Sequence, residues 1–143
     1  MGKIQSIELR NFGLLMVDDE EEESSTASPT GYFLRPGKIN FIDTTNRIIG
    51  EKGARFGIEY FIKGNSDQEE SVEFTCTIKH PPITNPKTNK RQSYIEETKY
   101  NYTNLDGNDY YAFEYDWEIV HGQWVFELAE GTNLLLKKSF EVV

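Results

Sequence analysis

The sequence predicts an all-β fold, a single antiparallel β-sandwich of immunoglobulin-like type with about seven to nine strands. Three observations predict it. Short runs alternate apolar and polar residues with a period of two, the mark of half-buried strands. Turn residues recur about every 8–12 positions. No stretch sustains a helical period, and no repeat of about 20–50 residues appears. The 143 residues suffice for one domain, 1–143, with one continuous core. Aromatic residues make up 13% of a chain that is 37% hydrophobic, so this core rests on Phe, Tyr and Trp, and a disordered chain is excluded.

Residues 4–15 read as a first strand, interrupted at Asn11-Phe12-Gly13. An unbroken acidic run from Asp18 to Glu23 continues into a Ser/Thr-rich stretch, and together they predict a solvated, mobile polar loop over about 18–31. Calcium binding is the competing reading of those carboxylates. EF-hand ligands alternate around a glycine, however, and that spacing is absent. Tyr32–Arg35 and residues 39–42 are short apolar runs split by the turn pair Pro36-Gly37. Gly50-Glu51-Lys52-Gly53 lacks the Gly-Lys-Ser/Thr ending of a phosphate loop and is a turn.

Phe56, Ile58, Tyr60 and Ile62 share one face of a strand, as do Val72, Phe74, Cys76 and Ile78 of the next. The polar loop between them predicts a core pair. His80-Pro81-Pro82 then ends the second strand, because prolines donate no ladder hydrogen bond. Residues 85–90 carry turn chemistry, with Asn89 suited to a left-handed backbone. Residues 94–102 are polar on both faces apart from Tyr94, Ile95, Tyr100 and Tyr102, which fits an edge strand. Residues 105–109 predict a turn into a strand whose core face carries Tyr111, Phe113, Tyr115 and Trp117. Trp124, Phe126 and Leu128 open a final hairpin that turns at 130–133 and returns over 134–143. Lys138 falls on its core face, through a bulge or by snorkelling at the edge.

The formal charge of −9 and a pI near 4.7 disfavour nucleic acid and anionic membrane surfaces as partners. Mean hydropathy is −0.61 and no stretch approaches the length of a membrane span, so a cytoplasmic location is expected. The one cysteine, Cys76, allows no internal disulfide and alternates in phase with core residues. His80 and His121 are the only imidazoles, and no HExxH, GxSxG or Cys/His cluster accompanies them. No catalytic, metal or cofactor site is therefore expected, and the chain reads as a non-enzyme.

Residues 55–60 with Gly64, His80-Pro81-Pro82 with Asn85-Pro86, and Trp117-Glu118 followed by Gly122-Gln123-Trp124 carry a resemblance. Together they resemble a bacterial family of small immunoglobulin-like β-sandwich proteins known only as a domain of unknown function. The resemblance spans nearly the whole chain. The chain departs from that pattern at His121, where the family usually has Pro, and at Asn89, where it usually has Gly. It implies the sandwich fold and no activity.

Two functions are weighed on this basis. The first is a non-catalytic protein-interaction or accessory module, joining a protein partner or a second copy through edge strands and end loops. The second is carbohydrate or small-ligand binding by aromatic rings near one end of the sandwich. His80, Pro81, Pro82, Asn85, Tyr110, Trp117 and Trp124 form the candidate partner or ligand surface.

Overall fold

Period-two segments become strands throughout the computed structural model, which describes residues 3–143. In chain order they are β1 (Ile4–Asp18), β2 (Glu21–Ser24), β3 (Tyr32–Arg35), β4 (Lys38–Asp43), β5 (Arg47–Ile48), β6 (Arg55–Gly64), β7 (Ser71–Thr84), β8 (Arg91–Tyr102), β9 (Leu105–Ala112), β10 (Gly122–Glu130) and β11 (Asn133–Val142). A single 3-10 turn occupies Asp116–Glu118. One sheet has the order β4-β1-β6-β9 and the other β5-β11-β10-β7-β8, while β2 and β3 form a separate hairpin. Pairing is antiparallel except for the short β5–β11 contact. Among the described residues no helix is long and apolar enough to cross a membrane.

The two sheets meet on an aromatic core, as the composition requires. Phe56 of β6 meets Phe126 and Phe140 of the facing sheet edge-on, and Tyr60 meets Phe74 at 6.2 Å. Such tilted and edge-to-face contacts suit ring quadrupoles better than flat stacking. Cys76 is buried among these side chains, and burial pushes its thiol pKa up.

Several local expectations are corrected. β6 and β7 do not pair: β6 lies between β1 and β9, and β7 between β10 and β8, so their apolar faces oppose each other across the sandwich. The prolines do not end β7. Its pairing with β10 stops at Lys79, and residues 80–82 bulge before pairing with β8 resumes at Ile83 opposite Gln92. Proline is tolerated where no ladder hydrogen bond is required. Likewise β1 runs through its supposed break to Asp18, with a register shift at Leu9/Asn11.

The acidic stretch is not a free loop. Glu21–Ser24 pairs with Tyr32–Arg35, and Glu23 and Glu20 find Arg35 and Arg55. The chain reverses at Thr103 and Asn104 rather than at 105–109, with Asn104 at φ 64°. Strand β9 stops at Ala112, so the row does not continue as one strand face; Tyr115 is 43% exposed and stacks at 5.4 Å on Trp117, which still packs half-buried against the core. Lys138 stays in phase with Leu136 and Phe140, so no bulge moves it off that face, and its position fits snorkelling. The bulge at Leu128/Ala129 lies beyond Leu136, and the Lys138 ammonium sits 3.8 Å from the Phe12 ring centroid.

Candidate functional site

The sequence-selected residues do not form one surface. Trp124 is fully buried, so it presents no ring to a ligand. It packs on Phe56 at 5.5 Å, Phe113 at 5.4 Å and Tyr111 at 5.0 Å, and its Nε1 donates to the Val120 carbonyl at 3.1 Å. His80 is turned inward by the bulge and stacks on Trp124 at 4.8 Å. Pro81 is half-buried, Pro82 exposed, and Asn85 buried. Asn85 ties the β7–β8 turn to the β2–β3 loop by donating to the Pro29 carbonyl at 3.0 Å, while its own Oδ1 accepts from the Lys87 amide. Trp117 is half-buried against Tyr115, and Tyr110 points to the other side, where its hydroxyl donates to Glu20 at 2.8 Å.

His80 is buried and engaged by its neighbours. Nδ1 lies 2.7 Å from the Pro81 carbonyl and, as N–H, donates to it. Nε2 is then a buried acceptor that meets no partner among the described residues. Protonation would leave a buried N–H unpaired there, and burial lowers the imidazole pKa below its ordinary value against the smaller raising effect of the Pro81 contact. The unfolded chain therefore binds the proton at higher pH than the folded one. The resulting stability is present above about pH 6.5 and is lost as pH falls through the folded pKa. In urea titrations at several pH values, His80→Phe should show a flatter loss of midpoint below about pH 6.5 than the parent. Parallel profiles would contradict the buried neutral ring.

An open side with a built interior lies where both sheets end side by side, at β8 and β9. The β2–β3 hairpin straps over it. Side chains hold it there: Arg35 reaches Glu97 of β8 at 2.5 Å, Glu20 takes Arg55 at 2.5 Å, and Tyr32 donates to Glu114 at 2.6 Å. Burial works to raise the Glu20 pKa, but Arg55 and Tyr110 outweigh it and hold the carboxyl below its usual range. Beneath the strap lies a cavity of about 80 Å³, floored by Cys76, Ile78 and Ile95 and walled by Asp109 and Tyr111. Pockets that take drug-sized ligands run to about 300–1,000 Å³, so the strapped cleft is small beside them.

A charge chain crosses this cleft. The Tyr60 hydroxyl donates to Asp109 at 2.8 Å, Asp109 pairs with Lys99 at 3.0 Å, and Lys99 approaches Glu97 at 4.0 Å. Burial alone would depress Lys99, but Asp109 and Glu97 outweigh it and raise its pKa. Burial, with Asp109 alongside, raises the Tyr60 pKa and keeps the phenol a donor. On the opposite face of β8, Tyr94, Tyr100 and Tyr102 are 57%, 76% and 51% exposed.

Comparison with known proteins fits this geometry. A family model described as a domain of unknown function, DUF3859, matches residues 4–142. The chain belongs to this family. An immunoglobulin-like protein of Pseudomonas aeruginosa is similar in structure, with a TM-score of 0.66 at 19% identity, covering 99% of this chain and 100% of that one. At that identity the likeness carries the immunoglobulin-like sandwich and no more. No curated protein matches the chain.

In this DUF3859 chain several residues of the resemblance motifs shape the backbone. A Cβ on Gly57 would lie 2.1 Å from the Asp109 carbonyl oxygen, so the glycine lets β9 close on β6. Gly122, at φ 133°, turns the chain between the 3-10 turn and Trp124. The Glu118 carboxylate accepts from the Tyr111 hydroxyl and from the amides of Glu114 and Tyr115, which ends β9. Asn89 takes φ 60°, the conformation for which the family's usual glycine is suited. The cleft charges escaped the sequence reading, although β8 carried their signal. Glu97 and Lys99 share a face with buried Ile95, so two opposite charges were bound to point inward.

Proposed function

We propose that the chain is a non-catalytic interaction module whose contact element is the β8 edge and whose partner is a protein. The exposed tyrosines on a sheet-terminating strand carry this reading, Tyr100 above all at 76% exposure. An edge strand offers unpaired backbone groups to an added strand, and tyrosine supplies rigid amphipathic area typical of interfaces. The acidic balance favours a protein over nucleic acid or an anionic membrane. The engaged His80 ring and the cramped strapped cleft speak against catalysis and against sugar binding as the role of this fold.

The reading is tested with p-benzoylphenylalanine placed in cells at Tyr100 or, as control, at Ile49, which is 63% exposed on the far edge strand's flank. A discrete covalent adduct at position 100 and none at 49 is expected. No adduct at 100, or equal labelling at both, overturns it.

A further inference from the structure

The strap is the far half of one long hairpin that bends. Along β1 and β4 Asp18 faces Lys38, and three residues further on Glu21 of β2 faces Arg35 of β3. The register is therefore the same on both sides of the break, with Asp19 opposite Gly37 and Glu20 opposite Pro36. Pro36 has no amide to offer the ladder there. Asp19 takes φ 55°, a left-handed conformation that is costly for a residue with a Cβ. The Gly37 amide donates to the Asp18 carbonyl at 2.9 Å, and a Cβ on Gly37 would lie 2.9 Å from that of Asp19. Glycine lets the two crossings come this close at the bend.

The bent half is lightly held. Among the described residues β2 and β3 pair only with each other. β2 is exposed throughout and β3 half-buried throughout, so burial in the strap is confined to Ser28 and Pro29 at its tip. Besides the side-chain contacts of Arg35, Glu20 and Tyr32, the tip carbonyls of Thr26, Ala27 and Pro29 accept from the side chains of Lys90, Gln92 and Asn85. Water can replace every one of these bonds, and segments with so little buried apolar area open first. Closure also carries costs. Gln92 donates to the Ala27 and Tyr94 carbonyls, but its Oε1 is buried and meets no partner among the described residues. Lys99 and Asp109 are withdrawn from water in the cleft below. A buried acceptor without a donor and a desolvated ion pair both gain when water returns.

We propose that the strap is a lid with two positions: bent over the cleft, and straightened at 19–20 and 36–37 into a continuation of the β1–β4 ribbon. Straightening breaks no backbone ladder, because the register already runs through the bend. It releases Asp19 from its left-handed backbone, hydrates Gln92 Oε1 and the Lys99–Asp109 pair, and bares Cys76, Ile78 and Ile95 on the cleft floor. The few residues of the bend absorb the change, as hinges do, and the lid controls access to that floor.

Cys76, the chain's one cysteine, reports the opening. Ellman's reagent should label it in native buffer, at a rate that rises with urea less steeply than global unfolding does. Lifting the strap exposes less surface than unfolding the domain. Asp19→Val, whose branched Cβ resists a positive φ, should speed labelling without urea at least about tenfold; Asp19→Gly, which accepts that φ, should not. Ile48→Val, in the buried core at the opposite edge, should lower the urea midpoint and leave the urea-free rate unchanged. Labelling that follows global unfolding, both in its urea dependence and in its response to Ile48→Val, overturns the lid. Equal labelling rates for Asp19→Val and Asp19→Gly overturn it as well, because the opening would not then turn on the bend.

Discussion

Trp124→Ala should destabilise the chain by about 3–5 kcal/mol, the range for removing a buried large aromatic. Trp124 has no exposed area and meets four rings: Phe56 on β6, Tyr111 on β9, Phe113 just beyond it, and His80 in the β7 bulge. Truncation deletes those contacts together and strips the Val120 carbonyl of its donor. Because domains of this size are stable by only about 5–15 kcal/mol, much of the folding free energy is at stake. Trp124→Phe separates the two contributions: it keeps a ring and loses the indole donor, at about 1–3 kcal/mol. Urea unfolding measures both, with Tyr100→Ala as a surface control expected within about 0.5 kcal/mol of the parent. A Trp124→Ala midpoint close to the parent's would mean that the tryptophan is not at the centre of the core. Acrylamide gives an independent check, since fluorescence of Trp124 should be shielded and that of half-buried Trp117 should not.

The strands were legible because alternation is local, and partnership was not because it is remote. Phe56 to Ile62 and Val72 to Ile78 alternate in the same way whether they pair or face each other. Only the hydrogen bonds of β6 to β9 and of β7 to β8 decide between those arrangements. Pro81 and Pro82 read as a stop because they lack donors. They sit just past Lys79, where β10 has already let go of β7, so the missing donors interrupt nothing. The row Tyr111, Phe113, Tyr115, Trp117 read as one strand face until Glu118 took the amides of Glu114 and Tyr115. The acidic run read as solvated because its cations, Arg55 and Arg35, are strands away in sequence. Charge sign along the chain says nothing of such distant pairs, whereas the inward phase of Glu97 and Lys99 was a local signal that the sequence reading passed over.

Asp109→Asn should cost about 3–5 kcal/mol, because it leaves the Lys99 ammonium in the cleft without its nearest carboxylate. The Asp109 and Lys99 side chains are 6% and 21% exposed, and the ammonium is 3.0 Å from Asp109 but 4.0 Å from Glu97, so the second carboxylate does not replace the first. An asparagine still accepts from the Tyr60 hydroxyl, which keeps the loss on the ion pair. Lys99→Met should remove the same pair from the other side, and the double variant should cost less than the two losses added, with a coupling of about 1–3 kcal/mol. The pH sign is opposite to that of His80. Lys99 is raised in the fold, so its contribution is fully present below about pH 10.4 and is lost as pH rises through the folded value. Lys99→Met should therefore flatten the alkaline limb of the stability profile. A coupling near zero would mean that water screens the pair. The strap would then be open in solution, and Arg35 and Glu20 would no longer be holding the hairpin over the cleft.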